Sequence, residues 1–172
     1  MKTIKTTCIL ILFTTGMLFS QSNKTITNAE ITYVYTSSKV KGSIKGFSSS
    51  SVIDWNDLTK SKFKGSVKTE TLKTGNVFRD WSIKGKKYFN KEKYPLITFE
   101  STAITQKNDS YDISGNLKLK GITKEITINF KKDGKTLIGT TTLYSSDFNI
   151  QVKKKRLDNE VVVTFTFQLS GL

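Results

Sequence analysis

Tyr111-Asp112-Ile113-Ser114-Gly115-Asn116-Leu117-Lys118-Leu119-Lys120 and, one residue later, Ile122-Thr123-Lys124-Glu125-Ile126-Thr127-Ile128-Asn129-Phe130-Lys131 decide the fold. In the first run Tyr111, Ile113, Gly115, Leu117 and Leu119 alternate with Asp112, Ser114, Asn116, Lys118 and Lys120. In the second, Ile126, Ile128 and Phe130 alternate with Thr127, Asn129 and Lys131. Side chains on a strand point to opposite faces in turn, so each run has one dry face and one wet face. Only Gly121 separates the two runs, and strands joined so tightly must be antiparallel.

The same period continues on both sides. Phe63, Gly65, Val67, Thr69 and Thr71 oppose Lys64, Ser66, Lys68 and Glu70; Val161, Val163, Phe165, Phe167 and Leu169 oppose Val162, Thr164, Thr166, Gln168 and Ser170. The pattern predicts further strands over 30–36, 39–49, 95–105 and 136–144. Turn residues separate them: Lys107-Asn108-Asp109, and Lys132-Asp133-Gly134-Lys135, where Asp-Gly supplies the positive φ of a tight hairpin. The reading is an all-β, extended antiparallel β-barrel of about eight strands, or a sandwich of the same strands. Closure is the favoured way to remove exposed edges. One stretch departs from the period. Around residues 76–90 the spacing of Val77, Phe78, Trp81, Tyr88 and Phe89 predicts a short helical excursion over one mouth of the barrel.

The first 20 residues read as a secretory signal peptide, leaving 21–172 as one β-barrel domain. Lys2 and Lys5 precede the apolar run Cys8 to Phe13, then Met17-Leu18-Phe19, and Ser20 suits the cut. The run falls short of the ~20 apolar residues of a membrane span and is interrupted by Thr14, Thr15 and Gly16. A periplasmic or secreted location follows as an expectation.

Composition excludes much chemistry. The chain has no histidine, and Cys8 is its only cysteine. Ser-His-Asp triads, Cys-His pairs and imidazole metal sites cannot be built, and cleavage after Ser20 would leave no thiol for disulfides. No catalytic residues, metal ligands or cofactors are assigned. Asp54, Asp57, Asp80, Glu92 and Glu100 show no recognisable acid/base spacing. The net charge of +14 favours anionic partners, so an anionic membrane surface is one candidate; a solvated basic coat is the plainer account. The run Lys153-Lys154-Lys155-Arg156 is short and has no interleaved aromatics, so no nucleic acid is implied.

Parity places Phe63, Val67, Ile97, Phe99, Ile113, Leu117, Leu119, Ile126, Ile128, Phe130, Val163, Phe165 and Phe167 inward. These residues either fill a closed core or line room for one ligand, and parity does not separate the two.

A longer run does. Phe78-Arg79-Asp80, Tyr88-Phe89 and Lys93-Tyr94-Pro95-Leu96-Ile97-Thr98-Phe99-Glu100-Ser101-Thr102, followed by Gly115-Asn116-Leu117-Lys118-Leu119-Lys120-Gly121-Ile122-Thr123-Lys124, resemble the YceI-like family in order and spacing. The resemblance runs from about Val40 to the C-terminus. It implies a lipocalin-like barrel whose interior holds a polyisoprenoid or similar amphiphile, in a mostly exported family with no catalytic pattern. The thirteen inward residues then become the ligand-binding interior. Trp55, Phe78, Arg79, Trp81 and Phe89 become its mouth, with Arg79 either meeting an anionic head group or serving locally with Asp80. Two departures stand out. Members often carry a histidine near the first strands, absent here, and an arginine before a late Asp-Phe-Gly, which here reads Ser146-Asp147-Phe148-Asn149.

Overall fold

The alternating runs form strands in the computed structural model, which describes residues 23–170. The expected signal peptide lies outside the described residues. The strands are β1 (Asn23–Lys24), β2 (Ile26–Tyr35), β3 (Val40–Ile44), β4 (Ser48–Ser49), β5 (Ile53–Asp54), β6 (Lys64–Lys68), β7 (Leu96–Lys107), β8 (Ser110–Leu119), β9 (Ile122–Asp133), β10 (Thr136–Tyr144) and β11 (Glu160–Leu169). One helix, α1 (Val77–Lys84), lies within the predicted excursion.

Nine strands form a single antiparallel sheet in the order β3-β2-β11-β10-β9-β8-β7-β6-β4. The hairpins fall where turn chemistry put them, with Asn108, Gly121 and Gly134 all at positive φ. A single 39–49 strand is not what forms. β3 pairs with β2 at one end of the sheet, and β4 pairs with β6 at the other. The chain between them therefore crosses from one edge to the opposite edge and draws the sheet into a barrel. Gly46, at φ 71, makes the bend. A backbone pair between Ser43 and Lys73 (3.0 and 2.9 Å) joins the edges beside this crossing. Thr71 Oγ1 adds a bond from the Lys45 amide at 2.9 Å and one to the Lys45 carbonyl at 2.7 Å.

The predicted 63–71 strand also stops early, at Lys68. Thr69 turns into a 3-10 helix, its amide still donating to the Pro95 carbonyl at 2.9 Å and its hydroxyl to the Tyr94 carbonyl at 2.7 Å. From there to Pro95 the chain fills the gap between β3 and β7. Asn76 starts α1 by accepting from the Arg79 amide at 3.0 Å, as an N-cap does. A bulge between Ser101 and Ala103 bends β7, and the Ser101 hydroxyl accepts from the Phe63 amide at 3.0 Å.

Candidate functional site

The dry faces of the curled sheet enclose a cavity of about 260 Å³, partly open to solvent. That is just below the ~300–1,000 Å³ of pockets for drug-sized ligands, so it suits a small guest. The interior is not plugged by its own side chains.

Every interior position predicted from parity lines this cavity except Ile113. Ile113 faces inward but is wholly buried in a core cluster with Ile53 and Leu58, which leaves it no free face. One end of the cavity is aromatic. Phe130 stacks with Phe63 (ring centroids 5.7 Å) and Phe167 (5.8 Å), and Phe47 stacks on Phe167 at 5.1 Å. Phe130 lies directly on its cross-strand neighbour Gly139, where a Cβ would come within 2.4 Å of the ring. The glycine is there to admit the ring.

The other end carries the hydroxyls of Tyr33, Tyr35, Thr141 and Ser145, and these four are already engaged. Tyr33 donates to the Lys73 carbonyl at 2.8 Å. Tyr35 donates to Asn159 Oδ1 at 3.0 Å and lies beside the Ser145 hydroxyl. Ser145 donates to the Ile150 carbonyl at 2.7 Å, and Thr141 to the Thr127 carbonyl at 2.8 Å. A wall whose polar groups are satisfied by the protein offers a guest contact area rather than directed hydrogen bonds. Burial, with the nearby Asp80 charge, pushes the Tyr33 hydroxyl up to about 12, so it stays neutral.

The residues expected at the mouth divide. Arg79, Phe89 and also Ile83 and Tyr88 line the cavity. Phe78 and Trp81 do not: they project from the outer face of α1, 85% and 81% exposed. Trp55 lies away from the cavity, half-buried beneath the Lys132 ammonium, 4.7 Å from its ring. Arg79 and Asp80 both close on Thr74. The guanidinium donates to Thr74 Oγ1 (3.0 Å) and to its carbonyl (3.1 Å), while Asp80 accepts from the Thr74 hydroxyl (2.7 Å) and amide (2.6 Å). These bonds fix α1 to the wall. They also hold the Asp80 carboxyl below its usual range, the Thr74 hydroxyl contributing most.

Many cavity residues are not singled out by the sequence, Ile31, Ile44, Phe47 and Leu72 among them, and three further groups show why. Tyr33 and Tyr35 lie on a strand that was predicted but whose inward face was not assigned. Ile83 and Tyr88 belong to the helical excursion, where a period of two gives no guidance. Leu143 and Ile150 flank the turn after β10, where alternation ends.

Asp147 lacks the arginine that often precedes it in the family, and Arg156 supplies one from later in the chain. Its guanidinium bonds both carboxylate oxygens, at 2.8 and 2.7 Å, and lies 3.7 Å from the Tyr144 ring centroid. Asn149, where glycine is usual, holds φ 57, a left-handed conformation that asparagine tolerates.

Carboxylates stabilised in the folded state give a pH dependence. Asp80, Glu100, Asp112 and Asp147 are all held below their ordinary values by hydrogen bonds from Thr74, Lys64, Lys107 and Arg156 respectively. The unfolded chain takes up protons first, so this stability is complete above the unfolded value of about 4 and is lost as pH falls through the lower folded values. For Tyr33 the stability is complete below about 10 and lost between there and about 12. With no histidine in the chain, the melting temperature should be level from about pH 5 to 9 and fall below about pH 4. A midpoint transition near pH 6 to 7 in a thermal melt series would contradict this.

A curled antiparallel sheet around an apolar cavity defines a lipocalin-like β-barrel. The chain belongs to the YceI-like family: the family's YceI-like domain pattern matches residues 20–169. Among named relatives, a UPF0312 protein of Yersinia pestis (strain Pestoides F) is 34% identical over 93 residues, 54% of this chain and 48% of the relative. A UPF0312 protein of Photorhabdus laumondii is 34% identical over 88 residues, 51% of this chain and 46% of the relative. The matches thus span about half the length of these relatives. Among solved structures, Burkholderia cenocepacia BcnA superposes with a TM-score of 0.72 at 21% identity, covering 83% of this chain and 96% of that one. A polyisoprenoid binding domain from Saccharophagus degradans, described as implicated in plant cell wall breakdown, gives 0.61 at 14% identity, covering 87% and 98%. At these identities the likeness is one of fold.

Proposed function

We propose that this protein binds one amphiphilic apolar chain, a polyisoprenoid, isoprenoid quinone or fatty acyl group, in the barrel interior. On this reading it is an exported carrier or scavenger, periplasmic or secreted, and not an enzyme. The observation that carries the reading is the cavity itself: about 260 Å³, apolar, and with the hydroxyls of Tyr33, Tyr35, Thr141 and Ser145 bonded to the protein. Each methylene buried there contributes about 0.8 kcal/mol without directional chemistry. The polyisoprenoid binding named for the Saccharophagus neighbour agrees with it. Export rests on the basic-then-apolar segment at residues 1–20.

Val163 lines the cavity on β11, opposite Tyr33 on β2. Val163→Trp fills the space from within and should abolish co-purification of lipid. The overpacking cost should stay within about 1–3 kcal/mol, so the barrel still folds. Native mass spectrometry of both proteins, each challenged with a short-chain polyprenol, checks this. A folded Val163→Trp barrel that loads as fully as the parent would refute the cavity as the site.

A further inference from the structure

The outer face of α1 is apolar where a surface helix should be polar. Val77, Phe78 and Trp81 are 79%, 85% and 81% exposed, while Arg79 and Ile83 on the opposite face line the cavity and Asp80 is buried. Successive helical residues turn by about 100°, so Val77, Trp81 and Phe78 fall within one arc. Across the same rim runs Val152-Lys153-Lys154-Lys155-Arg156-Leu157, exposed throughout, with Val152 also lining the cavity. The two lips meet at Lys120, whose ammonium donates to the Lys87 carbonyl (3.0 Å) and the Asn149 carbonyl (2.7 Å). Lys86 and Lys87 are exposed beside α1. Among the described residues, neither these two nor Lys153, Lys154 and Lys155 pair with a carboxylate.

We propose that this rim docks on an anionic lipid bilayer, with Phe78 and Trp81 entering the interface and the lysines of both lips meeting lipid phosphates. Bulky amphipathic rings flanked by lysines are the chemistry of interfacial attachment. The uncompensated positive charge favours a lipid surface over an apolar protein partner. The inference extends the proposed function, because docking here sets the cavity mouth against the membrane, but binding to vesicles does not require the cavity to be loaded.

The test is co-sedimentation with vesicles of phosphatidylglycerol and phosphatidylethanolamine, against phosphatidylcholine vesicles. The parent should bind the anionic vesicles and release as salt rises, since exposed charges are screened. A basic residue at an anionic surface contributes a factor of about five, so replacing Lys153, Lys154 and Lys155 with glutamine should weaken binding at least ~10-fold. Phe78→Ser with Trp81→Ser should do the same. In a Trp55→Phe background, lipids brominated on their chains should quench Trp81. No sedimentation of the parent, or binding undiminished in the Phe78/Trp81 variant, would overturn the proposal; capture of a protein in place of vesicles would do so as well. Polyprenol loading from cyclodextrin is measured on the same proteins. Loading preserved in the rim variants separates docking from cargo, and a parent that sediments but never loads would sink the cavity reading alone.

Discussion

Phe130→Ala should lower the stability of the barrel by about 3–5 kcal/mol, the range for deleting a buried aromatic ring. Phe130 is 1% exposed and contacts three other phenylalanine rings, with Phe165 at 6.2 Å completing the set. Its ring also occupies the hollow left by Gly139. Removing it therefore opens a void against a backbone that has no side chain to relax into the space. For a chain of this size the melting temperature should fall by roughly 10 °C or more. Phe165→Ala makes the comparison, because Phe165 already faces the cavity and is only half-buried. Its stability cost should be clearly smaller. Equal costs in denaturant titrations would mean that the aromatic end is not the packed part of the core.

Asn159→Ala should cost about 3 kcal/mol, although the residue belongs to a loop. Asn159 is completely buried. Its Oδ1 accepts from the Val152 and Lys153 amides (2.8 and 2.9 Å) and from Tyr35, and its Nδ2 donates to the Lys153 and Lys155 carbonyls (2.8 and 2.7 Å). Alanine leaves several polar groups without partners, each costing about 1–3 kcal/mol where water cannot replace the bond. Asn159→Asp distinguishes this network from mere volume. A carboxylate keeps the accepting oxygen but faces two carbonyls with nothing to donate. The aspartate variant should be destabilised at pH 7, and its deficit relative to the parent should shrink as acid protonates it. A deficit independent of pH would show that the amide donors are not what holds the loop.

Legibility from sequence followed the solvent. β8 to β11 were readable because each has one wet face, so the alternation of Leu117 with Lys118, or Ile128 with Asn129, carries its register. The same alternation marked the cavity residues of β7, β8, β9 and β11, and left those of β2, β3 and β10 unassigned. It could not show that 39–49 divides at Gly46, because the choice between β2 and β6 as partner is made by edges far apart in sequence. Nor could it orient α1. Phe78 and Trp81 are large and apolar, which argues for the interior, yet Asp80 takes the buried position because Thr74 and Lys73 satisfy it. Asn159 has the composition of a surface turn, and only its five bonds reveal a loop's core. The replacement of a preceding arginine by Arg156 likewise depends on the folding back of the 150–157 segment.

The seam between Gly46 and Thr74 differs in kind from the rest of the wall. β10 and β11 are zipped through nine consecutive residue pairs, whereas the edges beside the crossing are stitched by the Ser43–Lys73 and Lys45–Thr71 bonds and by the Tyr33 hydroxyl on the Lys73 carbonyl. Parting β10 from β11 breaks a whole ladder; parting these edges breaks a few stitches. The barrel thus has a built-in fastening that can come undone while the remaining ribbons stay joined, and its girth need not be fixed by the strand count.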